Sequence, residues 1–259
     1  MNLAAALLPL LPGGAGVIAF VGAGGKTSAL FRLAQDLEGQ GRRLLLTATT
    51  HLWDPRLECR APLDLILRPE LEAAPVPGAI PVPLPEATPG LTVLLARAAE
   101  PPGKLKGIHP SWIPALGAAW DLVLVEADGS KGLPVKAPAG HEPVLPPGTG
   151  LVVGVIGLDC LGRCLDGDTV HRPDRFSAVT GCALGARISW GHLAALVQHP
   201  HGLFKGAEGP RALLLNQADR APRDLVARVQ AAGLAVDRIL IAALGRSEGV
   251  IVLDQGRVL

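Results

Sequence analysis

The chain has 259 residues, 49% of them hydrophobic, and a formal net charge of +1. That length can bury a full core, and so balanced a charge gives no footprint for nucleic acid or an anionic lipid surface. Four scattered cysteines, Cys59, Cys160, Cys164 and Cys182, exclude a disulfide scaffold and read as reduced thiols of a cytoplasmic protein.

No charged residue lies between Met1 and Gly25. A signal peptide needs a basic start, and a membrane span needs about 20 unbroken apolar residues. Pro9, Pro12, Gly13, Gly14 and Gly16 break this run, so Asn2–Leu11 is expected as a short helix packed on the domain. Val17–Val21 is a short apolar run ending in glycine, a buried strand. Ser28–Gln40 then carries Leu30, Leu33, Ala34 and Leu37 on one helical face, with Gly39 and Gly41 as its stop. Arg43–Ala48 and, more weakly, Leu63–Leu67 read as further strands. Residues 69–90 hold seven prolines and read as covering loop or short edge strands.

Trp112–Trp120 reads as a helix feeding the strand Leu122–Glu126. The strand Leu151–Ile156 follows a stretch rich in Pro and Gly. Helices are expected near Pro173–Leu184 and Trp190–Gln198. The chain closes with strand Ala212–Leu215, helix Arg223–Ala232, and strands Arg238–Ala242 and Val250–Leu253. Buried strands alternating with helices imply an α/β, P-loop NTPase-like three-layer fold: a mainly parallel sheet with helices on both faces. One domain over residues 1–259 is expected, with a loop-rich insertion at about 130–205.

Four constellations carry chemistry. Gly22, Ala23, Gly24, Gly25, Lys26, Thr27 and Ser28 join a strand to a helix, the context that a phosphate loop needs. Glycines let backbone N–H groups converge on phosphate oxygens, and the helix N-terminus adds partial positive charge. Lys26 would then meet the β- and γ-phosphates, and the Thr27 hydroxyl Mg²⁺. Phe20 stands where a full Walker A motif has glycine, so the loop resembles the shortened loops of Mur-type ligases. The plainer alternative is a glycine turn with a solvated lysine. Glu126 ends an apolar strand and Asp128 opens the next loop, at the sheet edge where carboxylates hold Mg²⁺; a loop-capping pair is the alternative. His51 closes a row of threonines after the second strand, facing either phosphate or substrate. Asn216 and Asp219 lie one residue away from the Asn-Lys-x-Asp motif with which GTPases read guanine, so GTP is expected over ATP. His141 and His171, with Lys131, Lys136, Glu142 and Arg172, crowd the loops between these motifs and are candidates to position an acceptor. His199 and His201 lack a third metal ligand.

Gly22–Thr27, Thr49–His51, Glu126–Gly132, Lys136–Pro138, His141–Pro143, Ile156–Asp159, Val170–Pro173 and Asn216–Asp219 together resemble the YqeC family. Its members are described as accessory factors of selenium-dependent molybdenum hydroxylases. The resemblance implies a role in maturing such an enzyme, with that hydroxylase or its cofactor-maturation proteins as partners. It implies nucleotide hydrolysis as the driving step. Gln217, where the family has lysine, and Ala48, where it has threonine, depart from the pattern. Three activities stay open: an NTPase or NTP-dependent transferase, a nucleotide-switched chaperone or insertase, and a Mur-like kinase or ligase.

Overall fold

The computed structural model describes residues 1–14, 16–54, 64–75, 84–86, 88–101, 103–245, 249–254 and 257–258. Cys59 and much of the proline-rich stretch lie outside them. In chain order the elements are α1 (Leu3–Leu7), β1 (Gly16–Gly22), α2 (Lys26–Asp36), β2 (Leu44–Ala48), β3 (His51–Trp53), β4 (Asp64–Leu67) and β5 (Thr92–Ala96). There follow β6 (Ala98–Glu100), β7 (Lys104–Lys106), α3 (Ile113–Gly117), β8 (Leu122–Glu126), β9 (Val135–Lys136), β10 (Thr149–Gly157) and β11 (Val170–His171). The chain ends with α4 (Pro173–Thr180), α5 (Trp190–Gln198), β12 (Arg211–Asn216), α6 (Leu225–Ala231), β13 (Arg238–Ala242), β14 (Val250–Asp254) and β15 (Arg257–Val258).

Ten strands form one sheet in the order β15-β14-β13-β12-β10-β1-β8-β2-β5-β4. From β13 to β4 every neighbour runs parallel, and among the described residues the antiparallel pairings of this sheet are β13–β14 and β14–β15. The strands are continuous apolar runs because both faces are covered. Ile18 and Phe20 of β1 pack with Leu3 and Leu7 of α1 and Leu30 and Leu33 of α2. Ala19 and Val21 point the other way, into a cluster with Phe176, Leu193, Leu196, Leu225 and Val229 from α4, α5 and α6. A third cluster gathers Val123 and Val125 of β8 with Trp112, Ile113 and Leu116 at α3. This is a three-layer α/β arrangement with helices on both faces.

The expected helix at the start is present but shorter, capped by Asn2, whose Oδ1 accepts from the Ala5 N–H. The end of α2 holds it down. Asp36 accepts the N–H of Leu3 at 2.6 Å and of Ala4 at 3.4 Å, and its other oxygen meets Arg32 Nε at 3.0 Å.

Two features add to the expected pattern. Within the stretch 130–205, expected as a loop-rich insertion, the expected strand Leu151–Ile156 is part of β10, the sheet neighbour of β1. And β5, fully sandwiched between β2 and β4, is a sheet strand that the surrounding prolines and glycines conceal. Strands β3, β7 and β6 form a small antiparallel ribbon of three residues each, too short for any periodicity to reveal.

Replacing Asp36 by Ala would orphan the first amides of α1. Hydrogen bonds to a charged group contribute about 1.5–3 kcal/mol each. Urea unfolding of Asp36→Ala should show a loss in that range, with early amide exchange at residues 3–7; an unchanged midpoint would show that α1 is held by its leucines alone.

Candidate functional site

Between β1 and β10 the order of connections reverses, and ligands of parallel sheets bind at such a point, beyond the carboxyl ends of the strands. The glycine loop lies there. Gly22, Gly24 and Gly25 have φ of 93°, 84° and 124°. A Cβ on Gly24 would meet the Gly157 nitrogen at 2.3 Å and the Pro134 oxygen at 2.6 Å, and one on Gly25 would meet Asn216 Nδ2 at 2.3 Å. These glycines are required twice over, by their backbone angles and by close packing. The Ala23 N–H donates to the Val155 carbonyl at 2.9 Å, and Asn216 Nδ2 donates to the Gly24 carbonyl at 2.8 Å. The loop is thus fixed from behind, and it delivers Lys26, Thr27 and Ser28 as the first turn of α2, where N–H groups lack intrahelical acceptors. Phe20, at the position of the missing Walker A glycine, is a core residue of β1.

Beneath the loop runs a row of six alternating charges. Lys26 Nζ stands 3.5 Å from Glu126 Oε1 and 3.2 Å from Asp128 Oδ1. Lys136 Nζ stands 3.1 Å from Asp128 Oδ2 and 2.8 Å from Glu142 Oε2, and Arg172 Nη1 is 2.6 Å from that same oxygen. The order Glu126–Lys26–Asp128–Lys136–Glu142–Arg172 holds three negative and three positive groups. Its first five members are buried, and Arg172 is about a quarter exposed. Isolated buried charges would cost several kcal/mol each, so alternation is the condition for their burial. Further donors complete the row: Thr27 Oγ1 donates to Glu126 Oε2 at 2.7 Å, and the Gly22 N–H to Asp128 Oδ2 at 3.0 Å. Lys26 Nζ also donates to the Gly22 carbonyl at 2.7 Å and Ser130 Oγ at 3.1 Å.

Burial alone would lower the Lys26 pKa, but Asp128 and Glu126 outweigh it and hold the ammonium above its ordinary value. Burial raises Glu126, against the pull of Lys26 and Thr27. Burial acts upward on Glu142 too, yet its bonds to Lys136 and Arg172 prevail and bring it to about 2. His171 is pushed down to about 4 by burial and by the neighbouring Arg172 and Lys136, so it is a neutral imidazole at neutral pH. Burial drives the Cys160 thiol up to about 12, which removes it as a nucleophile.

A cleft of about 1370 Å³ opens over this row, lined by Gly24 to Ser28, His51, Glu126, Glu142, His171, Arg172 and Gln217 among others. The structure therefore brings together Lys26, Thr27, Ser28, His51, Glu126 and His171, with Lys136 and Asp128 buried beneath. It does not bring His141 there: that side chain is exposed and outside the lining. Asp219 is also exposed and outside the lining, in a short turn after β12. Asn216 is buried and serves the glycine loop, its Oδ1 accepting from the Leu244 N–H at 3.1 Å.

Among the described residues three non-glycine residues have positive φ: Lys131 (54°), Arg172 (68°) and Gln217 (61°). All three line the cleft. Such angles cost on the order of 1 kcal/mol each and gather where a surface is held for a ligand. Gln217 adds a buried Oε1 without a hydrogen-bond partner. Sequence reading flagged the charges but not their pairing, and it passed over Lys205 altogether. Lys205 Nζ donates to the carbonyls of Ala139, Gly140 and Glu142 at 3.0, 2.5 and 3.1 Å, fixing the loop that presents Glu142.

Both perturbed groups make acid destabilising. His171 binds its proton in the unfolded chain near pH 6.5 but in the folded one only near 4, so stability falls as pH drops through that window. Glu142 continues the fall from about 4.5 towards 2. His171→Gln should flatten the decline between pH 6.5 and 4 in urea midpoints and leave the lower part intact. An unaltered profile would mean that His171 ionises freely.

A family model described as YqeC protein matches residues 18–174, a range that holds the glycine loop and all six members of the charged row. A protein of Escherichia coli described as "Uncharacterized protein YqeC" is 38% identical over 196 residues, which cover 73% of this chain and 70% of the relative. No solved structure matches. The chain belongs to the YqeC family.

Proposed function

We propose that the chain binds a nucleoside triphosphate with Mg²⁺ in this cleft and hydrolyses or transfers its terminal phosphoryl group. The observation that carries the reading is Lys26: a buried, protonated ammonium under a preformed glycine loop, at the first turn of an eleven-residue helix. A polyphosphate laid on the helix N-terminus would meet N–H donors, the dipole and this cation together. Backbone donors held from behind need no reorganisation when charge develops on the transferring group.

The donor set fits Mg²⁺. Asp128 Oδ1 is buried with an ion pair but no hydrogen bond, and it has lone pairs to give. Mg²⁺ needs only one or two carboxylates besides phosphate and water, so Thr27 with Glu126 or Asp128 suffices. Bound there, the ion would neutralise charge on the β- and γ-phosphates. Neutral His171, on the same cleft, can accept a proton from a nucleophile or hold an acceptor. The family resemblance extends this to a step in maturing a selenium-dependent molybdenum hydroxylase. One observation favours the switch reading beside the transfer reading: the charged row runs unbroken from Lys26 to Arg172 and the loop at 139–142, so a change at the phosphate end has a path to the far wall of the cleft and the loop behind it.

Calorimetry with Mg·GTP and Mg·ATP tests the proposal, and a wild-type protein that binds neither would end it. Lys26→Ala should weaken binding by about 100-fold, the usual cost of truncating a buried charged contact. The same change strips the cation from between two buried carboxylates, so it should also destabilise by about 3–5 kcal/mol. Thr27→Ala, which removes one donor to Glu126 but none of the six charges, should keep the fold and lose the Mg²⁺ dependence of binding. Phosphate release by the protein alone, against release with candidate acceptors, separates hydrolase from transferase. We further propose a preference for guanine through Asp219, which lies exposed beyond Gln217 at the rim of the cleft, where a base reaching out of it would offer two adjacent donors to the carboxylate. GTP should then compete better than ATP, and Asp219→Ala should equalise them; equal affinities in the wild type would remove this role.

A further inference from the structure

The wall of the cleft opposite Gln217 is the ribbon β3–β7–β6, which contributes His51, Trp53, Glu100 and Lys104 to the lining. Aromatic residues are scarce in this chain, at 3%, and tyrosine is absent. Trp112 and Trp120 are buried at 7% and 5% exposure, whereas Trp53 stands 45% exposed. Lys104 Nζ lies over one face of the Trp53 ring, 5.7 Å from its centre, and Glu100 stands 3.6 Å from His51 Nε2 while its other oxygen pairs with Lys106 Nζ at 2.5 Å. An indole this exposed, with a cation over one face and hydrogen-bonding groups beside it, has the make-up of a stacking platform for a flat ring on its other face.

Two observations place this platform away from the proposed nucleotide. Residues Asn216 and Gln217 follow β12, on the β10 side of β1, whereas the ribbon follows β2, on the β8 side. A nucleotide held by its phosphates over β1 and turned towards the β12 end leaves the ribbon end uncovered. The volume agrees: about 1370 Å³ exceeds the roughly 300–1,000 Å³ of a site for one small ligand.

We propose that the cleft holds a second ligand site, in which a planar heteroaromatic ring stacks on Trp53 while Glu100 and His51 bind its polar edge. This inference rests on the nucleotide reading for the position of its neighbour. Its ligand would be the acceptor or a co-substrate of the reaction, lying across the cleft from the glycine loop.

The test uses the full chain labelled with ¹⁵N, in which the indole N–H signal of Trp53 is assigned by Trp53→Phe. Adenine, nicotinamide and lumichrome serve as uncharged planar probes, added with and without saturating Mg²⁺ and a non-hydrolysable nucleotide. At least one probe should move the Trp53 signal with nucleotide already bound. Trp53→Ala should weaken that probe by about tenfold or more, the usual loss of one stacking partner, with nucleotide affinity unchanged. If no probe moves the signal, the platform is overturned. It is equally overturned if the nucleotide itself moves the signal and Trp53→Ala weakens GTP or ATP but not inorganic triphosphate, since Trp53 then stacks the nucleotide's own base. Absence of any nucleotide binding to the wild type would instead strike the nucleotide reading, and probe shifts at Trp53 would still be readable without it.

Discussion

The arrangement depends on one contact: the Lys26 ammonium set between the carboxylates of Glu126 and Asp128. It exists because β1 and β8 are adjacent and parallel, with Phe20 in register with Glu126. The strand that feeds the glycine loop and the strand that ends in carboxylates therefore finish side by side. Two carboxylates this close would repel one another in the absence of a cation, and buried carboxylates would give up their charge. A metal ion is one remedy for that repulsion, but here Lys26 supplies the cation from the helix that follows the loop. Removing either carboxylate would thus relieve no strain; it would leave a lysine partly uncompensated in a buried place.

From that contact the remaining charges follow as necessities. Asp128 has a second oxygen to satisfy and meets Lys136; Lys136 requires another anion and meets Glu142; Glu142 meets Arg172 at the surface. The row ends where a guanidinium can be partly hydrated. The loops that carry these groups bury Ala127, Val135, Ala137 and Val170 in the core, and three of their carbonyls are gathered by Lys205. Polar scaffolding of this kind is rigid when fully satisfied and costly when broken, which suits a surface that must keep its shape while empty.

The sheet was legible in the sequence because its strands are buried on both faces and so read as unbroken apolar runs. Val17–Val21, Leu122–Glu126, Ala212–Leu215 and Arg238–Ala242 all lie within the observed strands. Trp190–Gln198 is a helix over those same residues. The glycine loop was legible from its context, a strand before and a helix after. Pairing among charges was not. Lys136 and Glu142 are six residues apart, but Arg172 reaches Glu142 across thirty residues and Lys26 reaches Asp128 across about a hundred, distances at which local pattern has no power. Nor could spacing show that Asn216 would be spent on holding the Gly24 carbonyl, leaving Asp219 as the exposed member of that motif. The ribbon and β5 escaped notice for a different reason, being short or enclosed by breakers.

The neutral sum of the charged row constrains how ligands could enter. On the proposed function, a triphosphate arriving alone would draw Lys26 towards its oxygens and leave Glu126 and Asp128 short of a cation, next to new negative charge. Mg²⁺ arriving alone would have to share Asp128 with an ammonium 3.2 Å away. Together they would exchange partners: Lys26 would turn to phosphate, and the carboxylate it releases would be free to hold the metal. Each ligand removes the cost that the other imposes, and such mutual relief is a favourable coupling free energy between two sites, reciprocal by necessity. The exchange also reaches further than the phosphate. Were Asp128 to hold a divalent ion, its hold on Lys136 would change, and Lys136 shares the oxygen of Glu142 that Arg172 binds. A row built to be neutral cannot be altered at one end without adjustment at the other, and that adjustment ends on Arg172, beside His171 on the wall of the same cleft.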